Sequence, residues 1–224
     1  MSSTLAFPLR RRRFANAGSV IPFLENGDRL TSLEFLRRYE AHPEDGKTEL
    51  IEGIVYMAPP VRADVHSHPD NLLQTWLGTF ACSVAGLKAY TNPTLQIDAD
   101  NMPQPDAVLC TAPRNGGRVW LSEKGYLCGA PELICEVSAS SASIDLHDKF
   151  RVYRRAGVSE YFVWLVLEKR VRWFALENQE YVEIKERAGV LAGRVFPKLV
   201  LDARALLRGD GAKVLALLRK QFDR

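Results

Sequence analysis

Pro131-Glu132-Leu133-Ile134-Cys135-Glu136-Val137, entered through Gly129-Ala130, is an apolar run with a carboxylate near its centre. The Ser-rich stretch Ser138 to Ser143 follows, and then a helical pattern of about a dozen residues that Gly157 terminates. Tyr161–Leu167 comes next, and its near-continuous apolar character suits a strand buried on both faces. Strand, helix and strand in that order require a parallel crossover. The expected fold class is therefore α/β, with a mixed central sheet flanked by helices.

Outward from this unit, Val171–Leu176 and Tyr181–Ile184 read as a hairpin around Glu177-Asn178-Gln179-Glu180. An amphipathic helix near Ala212–Phe222 closes the pattern. Upstream, Asp106–Cys110 and Thr94–Asp98 are expected strands, and Asn71–Val84 is an expected helix. Thr48–Met57 reads as a strand pair or a bent strand around Gly53. Thr31 followed by Glu34 has the capping-box pattern of a helix start, and His42-Pro43-Glu44-Asp45-Gly46 ends that helix. Residues 1–29 lack periodicity and read as a flexible lead-in. Residues 30–224 are expected to form a single domain.

The composition is ordinary: 224 residues, 46% apolar and 25% charged, enough to bury a core without staples. The net charge of +3 does not announce a nucleic-acid binder, so a basic face must be argued from positions. Cys82, Cys110, Cys128 and Cys135 include no C-x-x-C pair, which speaks against a zinc knuckle or a redox dithiol. Buried reduced thiols suit a cytoplasmic protein. No apolar stretch has the length of a membrane span. Arg10 to Arg13 read as a solvated, frayed terminus rather than a DNA-binding arm.

Side chains alternate faces along a strand, so Glu136 and Ser138 share one face while Cys135 and Val137 share the other. A carboxylate among such neighbours is costly to bury unless it meets a cation or a strong donor. Asp106 opens a second apolar strand directly after Pro105. Two strand-borne carboxylates that converge make a site for a hard cation such as Mg²⁺, which keeps waters it can activate. A nearby lysine can polarise that water and offset charge on a phosphate. The competing constellation is Asp64-Val65-His66-Ser67-His68-Pro69-Asp70. Its His-x-His could serve a zinc hydrolase, but the remaining histidines, His42 and His147, form no second cluster. His66 and His68 read instead as a helix entry near the substrate path. Arg151, Arg154, Arg155, Lys169, Arg170 and Arg172 could contact phosphates or simply be solvated.

Pro105-Asp106, Glu136-Val137-Ser138 and Lys149 resemble the PD-(D/E)-x-K nucleases of the restriction-endonuclease-like superfamily. The usual lysine place, two residues after the second acid, holds Ser138 here. Several further stretches account for the departure. They are Thr48-Glu49-Leu50-Ile51-Glu52-Gly53, Met57-Ala58-Pro59-Pro60 and Asp145-x-x-x-Lys149-x-x-x-Tyr153-x-x-x-Gly157-Val158-x-Glu160-Tyr161. Together they are similar to the Uma-two family of that superfamily, in which the lysine has moved onto the following helix. The resemblance runs from about Leu30 to the C-terminus. It implies a restriction-endonuclease-like fold and a metal-dependent endonuclease acting on nucleic acid, DNA foremost, with Mg²⁺ or Mn²⁺. By the same resemblance Asp106 and Glu136 are metal ligands, Lys149 is the catalytic base, and Glu49 is a further acid at the site, with Glu52 the competing choice. Asp145 is expected to cap the helix. A non-catalytic nucleic-acid- or protein-binding domain of the same fold is the alternative. A homodimer is the assembly that duplex cutting suggests.

Overall fold

The computed structural model describes residues 20–223; the arginine run at 10–13 lies outside them. Thr31 caps helix α1 (Ser32–Ala41), its hydroxyl accepting from Glu34 N at 3.4 Å. Strands β1 (Thr48–Ile51) and β2 (Ile54–Met57) then form an antiparallel hairpin. Its two-residue turn puts Glu52 at φ 50° and Gly53 at φ 73°. That left-handed pair matches the twist of the strands, which is why a glycine stands there. Residues 20–29 pack beside this hairpin: Leu24 is buried in one cluster with Phe35, Leu36, Leu50 and Val55.

Helix α2 (His68–Ser83) begins three residues earlier than the apolar pattern suggests, after a π-helical turn at Ala63–Ser67. Strands β3 (Leu87–Thr91), β4 (Leu95–Gln96), β5 (Ala107–Thr111), β6 (Trp120–Leu121), β7 (Leu127–Cys128) and β8 (Leu133–Ser138) follow. A π-helical turn at Ile144–Lys149 then runs into α3 (Phe150–Ala156). Gly157 stops α3 at φ 81°, its N–H bonding back to Tyr153 and Arg154 carbonyls. Strands β9 (Glu160–Leu165), β10 (Arg170–Glu177), β11 (Glu180–Glu183), β12 (Leu191–Ala192) and β13 (Val200–Leu201) and helices α4 (Ala203–Leu207) and α5 (Gly211–Arg219) complete the chain.

Six strands make the central sheet in the order β11-β10-β9-β8-β5-β3. The β8–β9 pair is parallel, as the crossover demands, and its neighbours are antiparallel, so the sheet is mixed. Both faces are covered. On one, Leu133, Cys135, Val137, Phe162 and Trp164 pack against Trp76, Leu77 and Phe80 of α2 and against the C-terminal helices. On the other, Ile134, Tyr161 and Val163 meet Val152 and Tyr153 of α3. The indole of Trp76 donates to Val200 O at 3.0 Å and ties α2 to β13. Glu136 points to the α3 face. Cys110, Cys128 and Cys135 are buried, and all four cysteines are free. Among the described residues, no helix is long and apolar enough to cross a membrane.

Candidate metal and phosphodiester site

Four acids and two lysines meet where the β1–β2 hairpin, the start of β5, the end of β8 and the helix after it come together. Lys149 is the hub. Its ammonium lies 2.8 Å from Glu49 Oε1, 3.0 Å from Glu136 Oε1 and 3.6 Å from Asp145 Oδ1. It is only 3% exposed. A lysine is buried this deeply only when its charge is paired.

The local sequence aims it there. Asp145, Lys149, Val152 and Tyr153 are the buried positions between Ile144 and Ala156, an i, i+4, i+7, i+8 stripe turned onto the sheet. Leu146 and Phe150 are half-buried at its margin. Asp145 is no cap: it takes the Ser141 hydroxyl at 2.6 Å, and the turn begins at Ser143 without a side-chain cap.

Asp106 sits at the mouth of β5 and reaches across to β8. Its Oδ2 accepts the Val137 N–H at 2.8 Å, which locks it beside Glu136, and His66 Nε2 stands 3.5 Å from the same oxygen. Its Oδ1 accepts from Lys47 Nζ at 2.7 Å. Lys47 also donates to Asn92 at 3.2 Å. Glu136 takes the Tyr153 hydroxyl at 3.0 Å on the oxygen that Lys149 uses. Glu49 is pinned by the Gln104 N–H at 2.7 Å. Glu52 is elsewhere, at the hairpin turn, paired with Arg151 and Arg155 at 3.2 and 3.3 Å. The choice between Glu49 and Glu52 thus goes to Glu49 by position.

Electrostatics follow from this crowding. Burial pushes the Glu136 carboxyl far above the usual range; Lys149 pulls it down, while Asp145, Asp106 and Glu49 add to the rise. Burial also raises Asp145. Burial opposes charge on Lys149 and Lys47, yet the carboxylates around them overcome it and hold both amines more basic than usual. Asp106 goes the other way. Burial would raise it, but the His66 and Lys47 contacts keep it well below an ordinary aspartate. His66 is raised in return, chiefly by its hydrogen bond to Asp106.

Glu160 provides the internal contrast. It is equally buried in β9, but its oxygens accept from Arg194 N, Val195 N and Trp173 Nε1 at 2.5, 2.6 and 2.7 Å. That carboxylate is satisfied by fixed donors and stitches the sheet to the C-terminal layer. In Glu136 one oxygen takes both donors, and Oε2 accepts none among the described residues. The donor set is all oxygen, and its four carboxylates outnumber the two lysines. That chemistry fits a hard divalent cation held by one or two carboxylates, with water and phosphate completing its shell. Among the described residues no three His, Cys, Asp or Glu are arranged to hold a metal ion as they stand, the carboxylates around Lys149 included. His66 Nε2 stands beside Asp106, whereas His68 Nε2 lies by the α4–α5 turn.

Lys47 and Asn92 carry no mark of this site in the sequence, whereas Gln104 stands in the Gln104-Pro105-Asp106 stretch that resembles the family. Lys47 lies two residues before Glu49, on no strand of its own, and its approach to Asp106 spans 59 residues of chain. Tyr153 carried a signal, since it lies one turn beyond Lys149 on the same stripe.

The model of the Uma2 family, described as "Putative restriction endonuclease", matches residues 33–204. No curated protein matches the chain. Among solved structures, the chain is similar to "a putative nuclease belonging to DUF820" from Anabaena variabilis ATCC 29413, with a TM-score of 0.59. The match has 17% identity and covers 77% of this chain and 98% of that one. Likeness at that identity establishes a shared fold.

Proposed function

The chain belongs to the Uma2 family, and from that premise we propose that it is a metal-dependent nuclease hydrolysing phosphodiester bonds of nucleic acid, DNA foremost. The observation that carries the reading is the buried Lys149 ammonium shared by Glu136, Glu49 and Asp145 beside Asp106. Asp106 and Glu136 would hold Mg²⁺ or Mn²⁺. Such an ion, when bound, supplies Lewis-acid polarisation and an activated water.

The remaining work belongs to the chain. Lys149 directs an ammonium at the same carboxylates, where it can orient a water and set positive charge against the crowded phosphate. Tyr153 and the Gln104 N–H fix the carboxylates' orientation. Lys47, 26% exposed at its side chain against 4% for Lys149, is the lysine of the pair that can meet a phosphate oxygen. His66 stands beside the same carboxylate, 3.5 Å from Asp106 Oδ2.

The test is incubation of purified protein with duplex, single-stranded and branched DNA with Mg²⁺ or Mn²⁺. Cleavage that disappears with chelator and in Glu136→Ala is the expected result. The second reading is a non-catalytic binding domain, favoured by the two lysines that already pair Asp106 and Glu136. It is the outcome if binding occurs and no substrate is cut.

A further inference from the structure

The C-terminal layer carries charge that the site chemistry does not use. Residues 184–223 hold nine Lys or Arg against four Asp or Glu, an excess of five, whereas the whole chain has a net charge of +3. Three of those acids are already committed. Asp202 caps α4 and lies 3.0 Å from Lys213, Asp210 caps α5, and Glu186 is 3.9 Å from Arg204. Lys185, Arg187, Arg208 and Lys220 are exposed and make no ion pair among the described residues.

Together with Arg194 and Lys213, which pair with Glu177 and Asp202, these cations line two concavities that share Val190. One, of about 400 Å³, takes Lys185, Arg187 and Arg194; the other, of about 470 Å³, takes Arg208, Lys213 and Lys220. The α4–α5 turn lies against α2, the helix whose Gln74 donates to Asp106 O at 2.6 Å. A side chain starting at Gly209 would lie 4.0 Å from His68 Nε2, and Gly211 faces Leu72 in the first turns of the same helix. Arg208 immediately precedes that turn.

We infer that this face tracks the phosphate backbone of a DNA duplex and holds it while the carboxylate–lysine site meets one strand, an assignment that rests on the nuclease reading above. Unpaired cations spread over a concave surface suit a ligand with regularly spaced charges, since phosphate contacts need charge and position but no sequence code. A lipid surface would call for exposed apolar anchors between the cations. Val195, 40% exposed, is the one large apolar side chain of residues 184–223 in that condition.

The test measures binding of the full chain to a duplex in chelator, where nothing is cut, across a range of salt. Arg208→Ala with Lys220→Ala is expected to weaken binding about tenfold and to make the log–log salt slope shallower by about 2, near 0.9 per lost phosphate contact. Lys185→Ala with Arg187→Ala should act in the same direction, and both pairs should melt as the wild type does. Wild-type affinity and slope in both pairs would overturn the surface, as would tighter binding to phosphatidylglycerol vesicles than to duplex. If the pairs lose binding yet no preparation cuts DNA with Mg²⁺ or Mn²⁺, the surface stands and the nuclease reading falls. If cutting occurs and the pairs bind normally, the surface alone falls.

Discussion

A buried ammonium among three carboxylates is costly on both sides: each charge has left water, and each depends on the others. Lys149→Met should therefore destabilise the metal-free protein by about 3–5 kcal/mol, because Glu136, Glu49 and Asp145 lose their shared partner. Chemical denaturation measures this. Adding Glu136→Gln should recover part of the loss, and simple additivity of the two changes would contradict the coupling. Cleavage should vanish in Lys149→Met even where the fold survives, and lysine at Ser138 should restore part of it. Lys47 makes a separate claim. Its ammonium competes with any cation for Asp106 Oδ1, so Lys47→Met should bind Mn²⁺ more tightly in calorimetry while cutting more slowly. Unchanged Mn²⁺ affinity there would count against Asp106 as a ligand.

At the scale of elements, caps add to the apolar packing that holds the C-terminal layer. Asp202 accepts the Ala205 N–H at 2.8 Å, and this bond, with Lys213 behind it, lowers the aspartate below its usual value. Asp202→Ala should cost about 0.5–2 kcal/mol, with Asn retaining most of the capping. The sign of the pH effect follows from the depressed value. The contribution is present above the unfolded aspartate pKa of about 4 and is lost as pH falls through the lower folded one. Comparing urea midpoints of wild type and variant near neutral pH and in acid reads it: the gap should close in acid. Element recognition from sequence tracked local pattern. The strand–helix–strand unit around Glu136 was legible because period and punctuation there agree. Strand β3 was missed because Leu87–Thr91 is a sheet edge with no buried residue, so it carries no alternation. Strands β12 and β13 are two residues each, too short to show an alternating pattern although they pair across residues 193–199.

For the molecule as a whole, a cation that binds only the folded state must stabilise it. At a hundredfold excess over its dissociation constant, Mn²⁺ should contribute about 2.7 kcal/mol, a rise of about 5–10 °C in Tm for a chain of this size. The rise should be absent in Glu136→Ala, which scanning calorimetry can establish. What the sequence by itself determined is the α/β class, the parallel crossover, the family and the two acids that stand out in apolar strands. Each of these is written in neighbouring residues, as periodicity, as punctuation, or as a carboxylate where water is excluded. Only the tertiary structure decided that Glu49 rather than Glu52 joins the site, that Asp145 pairs with Lys149 instead of capping, and that Lys47 neutralises Asp106. Those outcomes depend on how the β1–β2 hairpin docks against β5 and β8. Ion pairs between residues as far as 103 positions apart in sequence, such as Arg155 with Glu52 and also Lys149 with Glu49, are set by packing in three dimensions.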